Sequence, residues 1–449
     1  MAKSDAIDPA SRRWTRISWL GAIVIGTVAL FAFAYDLPSE PSFVDEWAYL
    51  SQTYYADLWI ARDTNRAEWL EYPAYDLPPL PKYLFGLSLR AGGYQRPGRA
   101  AAMKWYEDTR SQSGTTDSLM IARWPTVFIG MLGCLAVYGL GTLAFDRRVG
   151  ALAALFLIVN PLYRLHARRA MSDVIAESLI LLTACAFLWA WRRLLDGRFG
   201  PTAWLMAGLA GLAGGLAPLA KLNGALAMII VSAWALLALA LPRIARTRKL
   251  AVVVAALIAG VMSLAIFIAG NPFLTAHPQG AMGPELEAKA RMSLGQRMRY
   301  LVDHRVGISR GQMQLFKHNA LPTAFDKLGT VCVQGFGRFG PFGPHESNSR
   351  IRYDPKQDWG AVLWLPLVAL GAVLFAGRGR AQSQAGVAPT AWAILLQAGI
   401  ALLVVTAYLP LAWDRYYLSL QPGSAVLAAG AIVAVADRVF RRQTGAEGS

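Results

Sequence analysis

Apolar residues in this chain gather into ten blocks, at residues 17–34, 121–144, 149–163, 174–191, 202–219, 222–241, 250–270, 359–376, 388–411 and 416–436. Most approach the ~20 helical residues that cross a hydrocarbon core. Short polar joints separate them, except where two long polar segments intervene, at residues 35–120 and 271–358. The pattern predicts an all-α integral membrane protein, a single polytopic domain over residues 1–449 with about ten transmembrane helices. The third block is short, and the fifth and sixth are parted only around Lys221 and Asn223. Within the polar segments the period stays helical. Trp47, Tyr54 and Leu58 share one face, and Leu80, Tyr83, Leu84 and Leu87 another, which predicts amphipathic helices lying along the membrane surface.

Charge orients the blocks. Basic residues fall at alternate ends: Arg12, Arg13 and Arg16; Arg147 and Arg148; Arg192, Arg193 and Arg198; Arg243, Arg246, Arg248 and Lys249; Arg378 and Arg380; Arg438, Arg441 and Arg442. The positive-inside rule makes those ends cytoplasmic, so both termini lie inside a cell membrane and both long segments outside. A net charge of +16 dealt out loop by loop is a topogenic signal and excludes a nucleic-acid footprint, which would concentrate on one polar face. The first block follows a basic N-terminus without an A-x-A-like cleavage site and reads as a retained helix. Cys134 and Cys185 lie in apolar blocks and Cys332 in the second polar segment, a spacing that suits neither a metal site nor a disulfide framework.

Ionisable groups near the membrane are costly unless paired or used, and on the outer side they recur at the ends of spans. Asp45 and Glu46 open a helix just past the first block. They read either as first-turn acids behind Ser42, complementing the helix dipole, or as carboxylates for proton transfer. The prolines of Asp76-Leu77-Pro78-Pro79-Leu80-Pro81-Lys82 give a rigid, extended approach to the next helix. Lys82 there is either a snorkelling amine or an anion contact. The joint after the third block holds His166, Arg168, Arg169 and Asp173, with Glu177 one turn further on. Arginines on an outer joint run against the positive-inside trend, which phosphate binding explains, while Asp173 reads equally as a first-turn acid behind Ser172. Lys221 sits between two blocks, and Arg415 and Tyr416 stand at the outer start of the last; snorkelling and interfacial anchoring are their alternative roles.

Taken in order, Asp45-Glu46, Pro78-Pro79-Leu80 with Lys82, the stretch from His166 to Asp173, Lys221 with Gly224, and Arg415-Tyr416 resemble the landmarks of the GT-C membrane glycosyltransferases. Within that class they are similar to the protein O-mannosyltransferase and aminoarabinose-transferase superfamily. Asp76-Leu77 departs from the family pattern, in which His or Lys often precedes the prolines. The resemblance implies that a sugar moves from a polyprenyl-phosphate donor, held in membrane lipid, to a hydroxyl of an acceptor glycan, lipid or protein on the outer face. It implies Asp45 as general base, with Glu46 orienting the acceptor or the base. Lys82, Arg168, Arg169, Lys221 and Arg415 become candidates for the phosphate, with His166 and Tyr416 beside them, and Asp173 orders the arginines or the sugar. No cofactor is required, although some relatives use a divalent metal. A transporter or flippase for a lipid-linked or small anionic substrate is the main competing reading, and an inactive scaffold a third. In residues 271–358, Phe336, Arg338, Phe339 and Phe342 either shape acceptor choice or anchor the loop at the interface.

Overall fold

The computed structural model describes residues 18–95, 97–111, 115–280, 282–338 and 360–446. Arg12, Arg13, Arg16, Phe339 and Phe342 lie outside the described residues, as do the side chains of Arg338, Arg441 and Arg442. Among the described residues the only extended pairing is an isolated bridge between Ala320 and Leu411. The helices, in order, are α1 (Trp19–Ala34), α2 (Val44–Ser51), α3 (Tyr55–Ile60), α4 (Tyr72–Asp76), α5 (Pro79–Ala91), α6 (Arg99–Thr109) and α7 (Asp117–Ala144). Then follow α8 (Arg147–Val159), α9 (Pro161–Ala167), α10 (Ser172–Leu195), α11 (Pro201–Ala220), α12 (Leu226–Ala240) and α13 (Arg246–Ala269). The remainder are α14 (Pro272–Thr275), α15 (Pro284–Ala290), α16 (Leu294–Leu315), α17 (Ala324–Thr330), α18 (Gly360–Gln384), α19 (Thr390–Tyr408) and α20 (Gln421–Ala446).

Among the described residues eight helical segments are long and apolar enough to cross a membrane: Asp117–Ala144, Ser172–Leu195, Pro201–Ala220, Leu222–Ala240, Arg246–Gly270, Gly360–Gln384, Thr390–Tyr408 and Asp414–Val439. The third apolar block is a broken pair, α8 and α9, bent by 69°. Its cause is local. Pro161 removes a backbone donor, and the Asn160 side chain caps the new helix by accepting from Tyr163 N at 2.9 Å. The first block is the 16-residue apolar helix α1.

In lipid, helices associate mainly through close packing and satisfied polar groups. A Cβ on Gly371 would sit 2.0 Å from the Leu427 carbonyl, and one on Gly150 2.4 Å from that of Tyr138, so glycine lets α18 meet α20 and α8 meet α7. The helix α10 is central: it packs against α7, α11, α12 and α13 and is buried along most of its length.

The basic joints come together at one pole. Arg148 pairs with Asp437, Arg243 donates to the Gln384 carbonyl, Arg248 to that of Leu195, and Arg378 to those of Ala144 and Phe145. Helices α2–α6 and α14–α17 belong to the two long polar segments at the opposite pole. One difference from the sequence pattern is instructive. A single helix through Trp47, Tyr54 and Leu58 is instead two, broken after Ser51. Ser51 Oγ and Thr53 Oγ1 donate back to the Ala48 and Leu50 carbonyls, at 2.9 and 2.7 Å, competing with continued helix.

Candidate functional site

A cavity of about 570 Å³ opens at the pole opposite the basic joints. Its wall takes Asp45 and Tyr49 from α2, Tyr72 and Asp76 from α4, and Arg99 from α6. Asp173 comes from the start of α10, Lys221 from the junction after α11, His304 and Arg305 from α16, and Arg415 from the turn Asp414–Leu420. These seven helices and turns, far apart in sequence, therefore converge on one polar space, as a ligand site in a helical bundle requires.

Adjacent residues on α2 point in directions about 100° apart, and the acids divide accordingly. Asp45 lines the cavity with 35% of its side chain exposed, and Arg415 Nη1 donates to it at 2.7 Å. Glu46 is fully buried. It accepts from Arg123 Nε and Nη2, both at 2.9 Å, from Ala170 N at 2.7 Å, and from Phe43 N at 2.9 Å. The first-turn capping role thus belongs to Glu46. Arg123, within a membrane-spanning helix, also donates to the Glu40 carbonyl at 2.8 Å, so this bidentate pair fastens α2 to the bundle.

Lys221 Nζ donates to Asp173 Oδ1 at 2.6 Å, giving the cavity a second carboxylate–cation pair. Gly224 permits this placement: a Cβ there would lie 2.2 Å from Ala217 backbone atoms, because the turn Leu222–Ala225 folds back on the end of α11. Arg415 lies over the Trp413 ring at 4.7 Å, and its backbone N donates to the buried Asp414 at 2.6 Å, which holds the turn. Tyr49 is buried at the cavity wall, and burial, reinforced by the nearby Asp173 and Asp45 charges, pushes its phenol up. Burial and Asp76 push the Tyr72 phenol up to about 12.

The other sequence-selected residues lie elsewhere. Arg168 donates to Glu40 Oε2 at 3.1 Å and to the carbonyls of Phe33, Tyr35 and Asp36, tying the end of α1 to α9. Arg169 approaches Glu40 at 3.4 Å and lies over the Phe43 ring. His166 is buried, without a hydrogen-bond partner among the described residues. Lys82 is buried on the inner side of α5, donating to the Pro73 carbonyl beneath the Tyr55 ring, and burial pushes its amine down to about 7. Tyr416 stacks on Trp413 outside the cavity wall. Sequence reasoning missed Arg123 and Glu40, which complete the buried pairs, and Tyr49, Arg99, His304 and Arg305, which line the cavity. The arginine partners carry no local signal, since 77 positions separate Glu46 from Arg123. Among the described residues no group of three or more His, Cys, Asp or Glu side chains converges as metal ligands do.

A helical membrane bundle with a charged cavity where its two long polar segments meet is the architecture of the GT-C glycosyltransferases, and the comparisons agree. Residues 18–277, more than half of the chain, match the dolichyl-phosphate-mannose-protein mannosyltransferase family, and the chain belongs to it. Among solved structures it is similar to the archaeal oligosaccharyltransferase AglB from Archaeoglobus fulgidus, in complex with an inhibitory peptide and a dolichol-phosphate. The TM-score is 0.57 at 17% identity, over 96% of this chain and 53% of that one. The chain thus spans about half the length of that relative. Protein O-mannosyltransferase Pmt1-Pmt2 of S. cerevisiae, bound to the sugar donor, aligns at a TM-score of 0.45 and 13% identity over 59% of this chain and 35% of that one. ArnT from Cupriavidus metallidurans, bound to undecaprenyl phosphate, aligns at 0.37 and 15% identity over 92% and 77%. No curated protein matches the chain in sequence.

Proposed function

We propose that this protein is an inverting glycosyltransferase that moves a sugar from a polyprenyl-phosphate carrier to an acceptor hydroxyl on the outer face of a cell membrane, with Asp45 as general base. The carrying observation is a solvent-reachable carboxylate, Asp45, in a cavity that also holds two carboxylate–cation pairs, Asp45–Arg415 and Asp173–Lys221. Membership of a family described by a lipid-phosphate sugar supports the donor class. It also favours this reading over a transporter.

The reaction balances with these groups. Asp45 takes the acceptor hydroxyl proton as the oxygen attacks the anomeric carbon from the face opposite the phosphate. The carbon–oxygen bond to phosphate breaks, its electron pair stays on the phosphate, and polyprenyl monophosphate leaves. A guanidinium presents five donors, so Arg415 can hold Asp45 through Nη1 and still offer N–H groups to the departing oxygens. Lys221, with Asp173 as its counter-charge, adds a second fixed cation. Such preorganised charge stabilises a leaving anion in a water-poor site. Since fixed cations neutralise a monophosphate in this scheme, turnover is expected to survive EDTA.

The test is donor turnover by purified protein in nanodiscs, using a panel of labelled polyprenyl-phosphate sugars. Release of polyprenyl phosphate by wild type and not by Asp45→Asn supports the proposal and names the sugar. No release from any donor by folded wild type overturns it.

A further inference from the structure

Among the described residues four lysines and arginines line the cavity wall, and three are already matched: Arg99 with Glu71, Lys221 with Asp173, and Arg415 with Asp45. The fourth is Arg305. Among the described residues it meets no carboxylate within ion-pair distance and makes no hydrogen bond, although it is half-buried. An arginine with nothing to do normally extends into solvent. Arg299 on the same helix extends that way, with 84% of its side chain exposed, and even there it pairs with Asp303 one turn on, at 3.4 Å.

The helix that carries Arg305 is fixed on both sides of it, beyond it by the hydrogen bond between the Ser309 and Tyr408 hydroxyls at 3.0 Å. Ser293 and Gln296 cap α16 reciprocally. Arg297, fully buried, donates to the carbonyls of Phe273, Ala276 and Ala290 at 2.9, 2.8 and 3.0 Å. One residue before Arg305, His304 approaches Asp76 at 3.4 Å and packs edge-on against Tyr75, ring centroids 4.9 Å apart. The second polar segment is thus clamped to the first, and the clamp sets one guanidinium at the cavity. Arg305 thus shares the cavity wall with Asp45, Tyr49, Tyr72 and Asp173.

We infer that Arg305 is a substrate-binding residue for a phosphoryl anion: among the described residues it is the lysine or arginine of the cavity wall that no carboxylate engages, and it meets the phosphate of the lipid-linked donor. This inference rests on the transferase reading. A guanidinium suits the role because its planar fork of donors matches phosphate oxygens. Arg415 and Lys221, by contrast, must share themselves with a carboxylate.

The experiment measures decaprenyl phosphate binding to nanodisc-embedded protein in the Asp45→Asn background, which uncouples binding from turnover, with inorganic phosphate as soluble competitor. Arg305→Gln is expected to weaken lipid binding roughly tenfold to a hundredfold, the range for a charge-assisted hydrogen bond. Arg305→Lys should recover part of it, and the thermal midpoint should not move. In turnover with Asp45 restored, Arg305→Gln should raise the donor KM and leave the acceptor KM unchanged. Competition by inorganic phosphate that vanishes in Arg305→Gln shows recognition of the phosphoryl group itself; its absence, with the lipid effect intact, assigns the headgroup in its lipid setting. Equal lipid affinity with and without Arg305 overturns the assignment and leaves the transferase reading standing. An effect confined to the acceptor KM overturns it too. Absence of binding by every variant overturns both.

Discussion

Asp45 and Glu46 differ by one methylene and one position, and the bundle uses them for unrelated tasks. Loss of a positioned general base costs about 10²- to 10⁴-fold, so Asp45→Asn should lower kcat by that factor while its melting temperature stays near wild type. Glu46 is expected to behave oppositely. Removing one member of a buried, hydrogen-bonded ion pair costs about 3–5 kcal/mol, so Glu46→Gln and Arg123→Met should each lower yield and thermal midpoint, and turnover per folded molecule should fall less than in Asp45→Asn. A Glu46→Gln protein that melts like wild type yet is inactive would instead return Glu46 to the chemistry. The sequence shows two acids at a helix start and a reason to use either; the choice depends on Arg123, distant in the chain, so composition left it open. Lys82 offers a second residue-level test. Burial pushes its amine down to about 7, against 10.5 for an unfolded lysine. Between those values the unfolded chain binds more protons than the folded one, so stability rises with pH through that window, with a slope up to about 1.4 kcal/mol per pH unit. Thermal midpoints from pH 6.5 to 9 should climb more steeply for wild type than for Lys82→Met. Parallel curves would mean that the folded amine stays charged.

At the scale of elements, the spans were legible because lipid leaves a chain few options: a long apolar run must be helical to satisfy its backbone. All ten apolar blocks are helical among the described residues, but only eight are long and apolar enough to span; the first is a 16-residue helix and the third is broken at Asn160-Pro161, a cap and break the block pattern did not show. The polar segments were less legible. Their helices vary in length, from the 4 residues of α14 to the 22 of α16, and pack on each other through contacts that no single stripe encodes. Of the basic candidates, Lys221 was chosen for its place between two spans, and the structure adds the reason it can reach Asp173. Gly224 lets the following turn press against Ala217, leaving no room for a side chain. Gly224→Ala should therefore move the turn and loosen the Lys221–Asp173 pair, lowering turnover more than tenfold while leaving the protein in the membrane. The comparison that checks this is Gly208→Ala on the preceding helix α11, where the nearest neighbour to a new methyl group is a methionine methyl 3.9 Å away; equal losses in the two variants would show that the turn has no special role.

For the whole molecule, the two poles carry different chemistry, and that asymmetry makes orientation testable. At one pole the short basic joints bond to helix-end carbonyls and to Asp437, which gives Arg148, Arg243, Arg248 and Arg378 structural partners in addition to their topogenic charge. At the other, the two long segments enclose the cavity, and its charges are largely matched in pairs rather than left as a basic surface. The positive-inside rule weighs short, lysine- and arginine-rich loops, so the first pole should face the cytoplasm and the cavity the outside. A cysteine at Arg299, on the exposed side of α16, and another at Ala385, in the joint between α18 and α19, separate the two orientations. With Cys332 replaced by serine, a membrane-impermeant maleimide should label Arg299→Cys in intact cells and Ala385→Cys only after permeabilisation. The reverse pattern would put the cavity in the cytoplasm, where a carrier bearing its sugar on the outer leaflet could not reach Asp45. The transferase reading would then need a donor presented from the inner leaflet, so this labelling decides which leaflet the donor must occupy before any sugar is identified.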